Sequence, residues 1–178
     1  EKNRTEIIDN QIKFISNDID ILEKKVLNDN PEAFGILPFQ VKSKIKLKSI
    51  VDIAGKKLLF KVGELIGPQM EMYQEKARVL PLETGFNRTY HREIVFTIPS
   101  GFNINNLTDL NINNTFSKNG DTLFNFTSKY SIDGQIVKVV VDEFYNIFEI
   151  QPDLYEDYRK VINSAADFNK VILVLEKV

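Results

Sequence analysis

The chain has no cysteine, no tryptophan and one histidine, His91, in 178 residues. The missing thiols remove disulfides, thiolate zinc sites and cysteine nucleophiles together. They do not fix a compartment, because exported bacterial proteins also often lack cysteine. His91 lies between Tyr90 and Arg92 at the start of a strand pattern, and no motif supplies the orienting partner that acid–base catalysis needs. A G-x-S-x-G elbow is also missing, so a Ser-His-Asp hydrolase has no sequence support. No run approaches the ~20 apolar residues of a membrane helix, and no membrane insertion is expected. A formal net charge of −2 argues against a phosphate-binding surface, so nucleic acid is not an expected partner. Nothing in the sequence calls for a cofactor or a metal. The chain opens at Glu1 with neither an initiator Met nor a signal peptide, which reads as a piece of a longer precursor.

What is present is ordinary globular composition, 43% hydrophobic and 27% charged, at a length that suits a single domain over residues 1–178. Residues 5–27 place Ile8, Ile12, Ile15, Ile19, Leu22 and Val26 at spacings of four and three, one stripe of a helix. Asn17, Asp18 and Asp20 are weak helix formers, so a helix starting near Asp18 is the alternative, and Ile12, Phe14 and their neighbours also permit a strand. The turn-rich NDNPEAFGILP follows, which makes residues 1–30 the most separable piece, helical or connecting.

From Val41 to Lys48 apolar and lysine residues alternate, the pattern of a half-exposed strand. Its row of Lys42, Lys44, Lys46 and Lys48 reads either as a solvated strand face or as an anion-binding track. Ser49 to Ala54 reads as one helical turn capped by Ser49 and ended by Gly55, before a strand over Lys57–Val62. Arg78–Leu82 and Tyr90–Ile98 read as strands, the second closed by Pro99 and Gly101. Asn119-Gly120 and Asp133-Gly134 supply the positive φ of type I′ turns, joining Asn113–Ser117, the segment through Tyr130 and Ile136–Phe148 into an antiparallel meander. A helix over Asp153–Asp167 buries Leu154, Tyr158, Val161, Ile162 and Ala165. The closing run VILVL is apolar on both faces, the mark of a strand buried on both faces. The fold expected is a mainly antiparallel β-sandwich, roughly seven or eight strands, with a C-terminal helix feeding a returning strand.

Candidate chemistry is thin. Asp142, Glu143 and Glu149 cluster around one strand and would suit a glycosidase pair if correctly spaced. The NGD at 119–121 lacks the ligand spacing of a calcium loop. Asn-x-Thr sequons at Asn3, Asn87, Asn106, Asn113 and Asn125 read as chance products of an Asn-rich composition. Phe124, Phe126, Phe144, Tyr145 and Phe148 fall on strand patterns and read as core, against a carbohydrate-stacking alternative.

KVGELIGPQMEMYQEKARVLPL at 61–82, YHREIVFTIPSGF at 90–102 and YRKVINSAADFNKVILVLEKV at 158–178 together resemble one family. It is the C-terminal β-rich domain, of unassigned function, of exported transglutaminase-like proteins of Bacteroidetes, and the likeness runs from about Phe39 onward. Its most specific elements are the run from Gly63 to Gln69, Arg78 with Pro81, Arg92 with Pro99 and Gly101, and Asn163 through Asn169. In that family the catalytic Cys, His and Asp belong to an upstream papain-like core, so no catalytic residue carries over to this chain. The resemblance implies a noncatalytic accessory domain, exported to the periplasm or cell surface, whose partner is the upstream transglutaminase-like core of the same polypeptide. A carbohydrate-binding or carbohydrate-active module is the alternative. Interaction candidates are Ile12 and Ile15 on the apolar stripe, with Gln69, Glu71, Arg78 and Arg92. Gly63, Gly67 and Gly101 are expected at turns, and Arg78 and Arg92 are expected to pair with carboxylates on neighbouring strands or to meet an adjoining domain.

Overall fold

The computed structural model describes residues 2–16 and 18–178; Asn17, read above as a weak helix former, lies outside them. The length expected to form one domain is organised as two compact units divided between Val51 and Asp52.

In the first unit the apolar stripe does not continue as one helix. Helix α1 spans Lys2–Lys13 and strand β1 spans Ile19–Leu27. Neither a helix over residues 5–27 nor one starting near Asp18 forms. The reason is local: Asp18 accepts a bond from the Ser16 hydroxyl at 2.6 Å and another from the Ser49 amide at 2.6 Å, a side-chain turn that competes with helix. These bonds hold the Asp18 carboxyl down to about 2. Past that turn the isoleucines serve strand period: β1 pairs antiparallel with β2, Gln40–Leu47, with Ile19 opposite Leu47 and Ile21 opposite Ile45. Ile8 and Ile12 of α1 and Ile19 of β1 bury together against Ile15, Ile21, Val26, Val41, Ile45 and Leu47. The β2 alternation is as expected, with its lysines in solvent. Because β1 and β2 pair on either side of it, the turn near Asn30 is no separation point; Asn30 caps a short 3-10 turn through Ala33 inside the hairpin loop.

The second unit is mainly β and antiparallel. One four-stranded sheet, in the order β3-β4-β12-β7, contains β3 (Val51–Ala54), β4 (Lys57–Phe60), β7 (Phe102–Ile104) and β12 (Leu173–Lys177). The helical turn expected at Ser49–Ala54 is therefore a strand, joined to β4 through Gly55 at φ 63°. The other sheet, in the order β6-β10-β9-β8, contains β6 (Arg88–Thr97), β8 (Ile112–Lys118), β9 (Asp121–Asp133) and β10 (Ile136–Tyr145). A two-residue ladder pairs β5 (Leu82–Glu83) with β11 (Glu149–Ile150), so the strand expected over Arg78–Leu82 is confined to its last residue and Glu83. With β1, β2 and the short β5 and β11, the described residues hold twelve strands, more than the seven or eight expected.

Both expected hairpins form. Asn119 and Gly120 take φ of 58° and 90° between Lys118 and Asp121, the two positive values of a type I′ turn. The second turn differs: Asp133 pairs with Ile136 and stays in β9, leaving Gly134 and Gln135 as the loop, with positive φ at Gly134. Positive φ at the first loop position alone is the type II′ pattern, so the register is shifted one residue from the expected Asp-Gly turn.

Helix α2, Tyr155–Asn169, follows a 3-10 turn at Pro152–Leu154 and buries Tyr158, Val161, Ala165 and Phe168. Its aromatic rings meet the inward residues of β9. Tyr158 packs edge-on to Phe124 at 5.2 Å and Phe168 lies 6.0 Å from Phe126. Such pairs contribute about 0.5–1.5 kcal/mol beyond burial. Leu173 and Leu175 of β12 enter the same core. The strand is central, as expected, yet only this face is sealed: Val174 is half-buried and Ile172 exposed, because one face alone meets the core. Among the described residues no helix is long and apolar enough to cross a membrane.

Removing Val171–Val178 deletes the strand between β4 and β7 and is expected to abolish cooperative unfolding of the second unit. Leu173→Ala is expected to lower stability by about 2–5 kcal/mol. Denaturant melts check both, and a truncated chain that unfolds cooperatively near the intact midpoint contradicts the placement.

Candidate functional site

Two segments far apart in the sequence, 61–82 and 158–178, meet in space. From Gly67 to Pro81 the chain forms an irregular strap running antiparallel along α2. At the C-terminal end of the helix, the Asn169 side-chain amide donates to the carbonyls of Gly63 at 3.1 Å and Gly67 at 2.9 Å. Lys170 pairs with Glu71 at 2.9 Å. One helix turn and more toward the N-terminus, Asn163 grips Met72 on both sides, accepting from its amide at 2.7 Å and donating to its carbonyl at 3.0 Å. Near the helix start, Arg78 stacks on the buried Tyr155 ring at 5.2 Å. The strap thus borrows its backbone partners from side chains of α2, which satisfies polar groups that a strand would have paired in a ladder.

Gly63 is required for a reason other than a turn. A Cβ at this position would stand 2.6 Å from the Asn169 carbonyl oxygen and closer still to that of Phe168. Its amide donates to Val171 at 3.1 Å. The expected turn conformation does hold at Gly67 and Gly101, with φ of 81° and 79°.

The interaction candidates are placed as follows. Ile12 is buried and Ile15 half-buried in the small core of the first unit. Gln69 folds back on the 3-10 turn over Val62–Ile66, its amide donating to Ile66 and Gly67 at 3.3 and 3.2 Å. Glu71 is exposed and engaged by Lys170. Arg78 meets no carboxylate among the described residues; beyond the Tyr155 ring it donates to the Leu80 carbonyl at 2.8 Å and, more weakly, to that of Pro81. Arg92 does pair across strands, with Glu143 of β10 at 2.8 Å. Asp167 is exposed, 3.7 Å from Lys170.

Arg92 belongs to a cluster that the sequence reading overlooked. Three arginines each stack on a tyrosine: Arg78 on Tyr155, Arg88 on Tyr145 at 5.1 Å and Arg92 on Tyr90 at 4.6 Å. Arg88 donates to the Tyr158 hydroxyl at 3.0 Å, and Tyr145 donates to buried Glu143 at 2.9 Å. Burial holds the Tyr145 and Tyr158 hydroxyls well above the ordinary phenol range, with the Glu143 charge adding to the effect. They are fixed hydrogen-bonding groups with no acid–base use near neutrality. Arg88, Tyr90 and Arg92 alternate along β6, so a strand carrying large cationic and aromatic residues at every second position was the available signal.

The carboxylates separate. Asp142 and Glu143 are adjacent on β10 and face opposite sides of the sheet, Asp142 in solvent against His91 Nδ1 at 2.6 Å and Glu143 inward. Glu149 lies in β11, bonded to Gln151. Asn125 is buried on the outer face of the sheet, donating to the Asp142 carbonyl at 2.9 Å and accepting from Thr115, so its sequon amide is engaged within the chain. Phe124, Phe126 and Tyr145 are core as expected, whereas Phe148 is exposed. Among the described residues no group of three His, Cys, Asp or Glu could hold a metal.

No family model, curated protein or solved structure matches this chain.

Two outcomes are expected from this geometry. Gly63→Ala is expected to lose roughly 3 kcal/mol, since the obstruction is backbone that cannot swing aside; a chemical melt within about 0.5 kcal/mol of the parent contradicts the close approach. The hydrogen bond to Asp142 raises the His91 pKa above 6.5. Its stabilising effect is therefore full below that value and is lost as pH rises through the folded-state midpoint. Proton NMR of the single imidazole is expected to titrate above 6.5 and to fall back in Asp142→Asn; equal midpoints in the two proteins refute the pairing.

Proposed function

We propose that this chain is a noncatalytic interaction domain of an exported transglutaminase-like protein of Bacteroidetes, working in the periplasm or at the cell surface. Its partner in this reading is the upstream transglutaminase-like core of the same polypeptide. The observation that supports the reading is the orientation of the strap. Its backbone is tied to α2 at Gly67 and Met72, while Met70, Tyr73, Val79 and Leu80 project outward, Tyr73 at 80% and Val79 at 83% exposure. Apolar side chains held outward on a pinned segment cost solubility and have no use in a sealed sandwich; on a docking surface they supply contact area with little further ordering. The residues that carry chemistry in the sequence are engaged in pairs within the chain: Arg92 with Glu143, His91 with Asp142, Glu71 with Lys170. The contact is assigned to the strap, since Ile12 and Ile15 are spent on the small core of the first unit.

The upstream core, expressed separately, is expected to bind the chain in calorimetry. Met70→Ser with Tyr73→Ser is expected to weaken that binding by about tenfold or more without changing the melt. No heat of binding with the unaltered pair, or binding indifferent to these substitutions, contradicts the proposal.

A further inference from the structure

The β1–β2 hairpin of the first unit carries a second apolar surface, apart from the strap. Its connecting loop, FGILPF at 34–39, leaves Phe34 at 90% and Ile36 at 79% exposure, with Leu37 and Phe39 also exposed. An open hollow of about 660 Å³ lies beneath the loop, lined by Arg4, Asn28, Pro31, Phe34, Leu37 and Phe39. Directly behind the loop, Lys25 and Lys42 stand opposite each other on the paired strands, an arrangement that is unfavourable between like charges. Lys46 continues the row along β2, opposite Asp20 in the register. Among the described residues no ion pair engages Lys25, Lys42 or Lys46, whereas Lys44 and Lys48 face Glu23 and Asp20. Against them the loop sets Asp29, which Arg4 engages, and Glu32.

We propose that this hairpin seats on an anionic lipid surface, with Phe34, Ile36, Leu37 and Phe39 entering the headgroup layer and Lys25, Lys42 and Lys46 lying against the lipid charges. Protruding apolar side chains at a loop tip with lysines immediately behind are the two components of interfacial membrane binding. A flat anionic surface meets both at once and relieves the Lys25–Lys42 repulsion. A protein cleft would have to match a projecting loop and a strand face together. Such contact is shallow and needs no crossing helix.

The full chain is to be sedimented with vesicles of phosphatidylcholine alone and of phosphatidylcholine with about a third phosphatidylglycerol. Binding to the anionic vesicles only, weakening as salt is raised, is expected. Phe34→Ser with Ile36→Ser abolishes it, and neutralising Lys25, Lys42 and Lys46 to Gln weakens it by roughly fivefold per lysine. These positions are exposed, so a cooperative melt at the parent midpoint is expected to confirm that the variants fold. No sedimentation with either vesicle overturns the proposal, as does binding insensitive to both sets of substitutions. Loss of binding to the upstream transglutaminase-like core in Phe34→Ser with Ile36→Ser, without any vesicle binding, assigns the loop to a protein partner and overturns it too. Because the strap substitutions leave this loop intact, failure here and failure of the docking reading are separately visible.

Discussion

The packing of α2 onto the inner face of β9 is the interaction on which the second unit depends. Phe124 is the centre of that contact, touching Tyr158 of the helix, Tyr145 of β10 and Phe116 of β8. Phe126 makes the equivalent contact with Phe168 two helix turns and more along. Two aromatic anchors at either end of one helix fix both its position and its direction over the sheet. Everything attached to the helix is then placed: the Tyr155 platform at its start, Asn163 in its middle, and Asn169 and the route into β12 at its end.

The strap follows from that placement. Its backbone has few partners of its own, and α2 supplies them at Met72 and, through Asn169, at Gly63 and Gly67. The close approach at Gly63 sets the strap's starting point against the helix C-terminus. The arginine–tyrosine cluster holds the other end. With Arg92 paired to Glu143 and Arg88 resting on Tyr145 and Tyr158, the cluster ties together β6, β10 and α2.

Much of the fold was legible where one local rule sufficed. Asn119-Gly120 demanded a turn with positive φ at both positions, and the alternation from Thr122 to Tyr130 had no other period available. Tyr155–Asn169 combined an apolar stripe with an acidic first turn. Legibility failed where two periods share residues. The isoleucine stripe reads as a helix through Val26 because spacings of four and three pass unbroken from α1 into a strand whose own residues alternate; the Asp18 side-chain turn that divides them leaves no trace in hydrophobicity. Ser49–Ala54 looked like a capped turn because its strand character comes from pairing with β4, a tertiary choice. Arg78–Leu82 looked like a strand because it is apolar, whereas Val79 and Leu80 face outward, only Leu82 pairs in a ladder, and Arg78 rests on Tyr155, more than seventy residues away. Of the site, Arg92 with its carboxylate was legible; the contact between the Gly63 segment and Asn163–Asn169 was not, since nothing in one segment names the other.

Because both sheets, α2 and β12 share one core, the second unit should open as a single cooperative body. Native-state hydrogen exchange tests this directly, by comparing the slowest amides of β10, α2 and β12 under increasing denaturant. All three are expected to merge onto one global opening with a common free energy and denaturant slope. Exchange of α2 and β12 through a separate opening several kcal/mol below that of β10 would contradict it, leaving the helix and its strand as an appendage to a self-sufficient sheet.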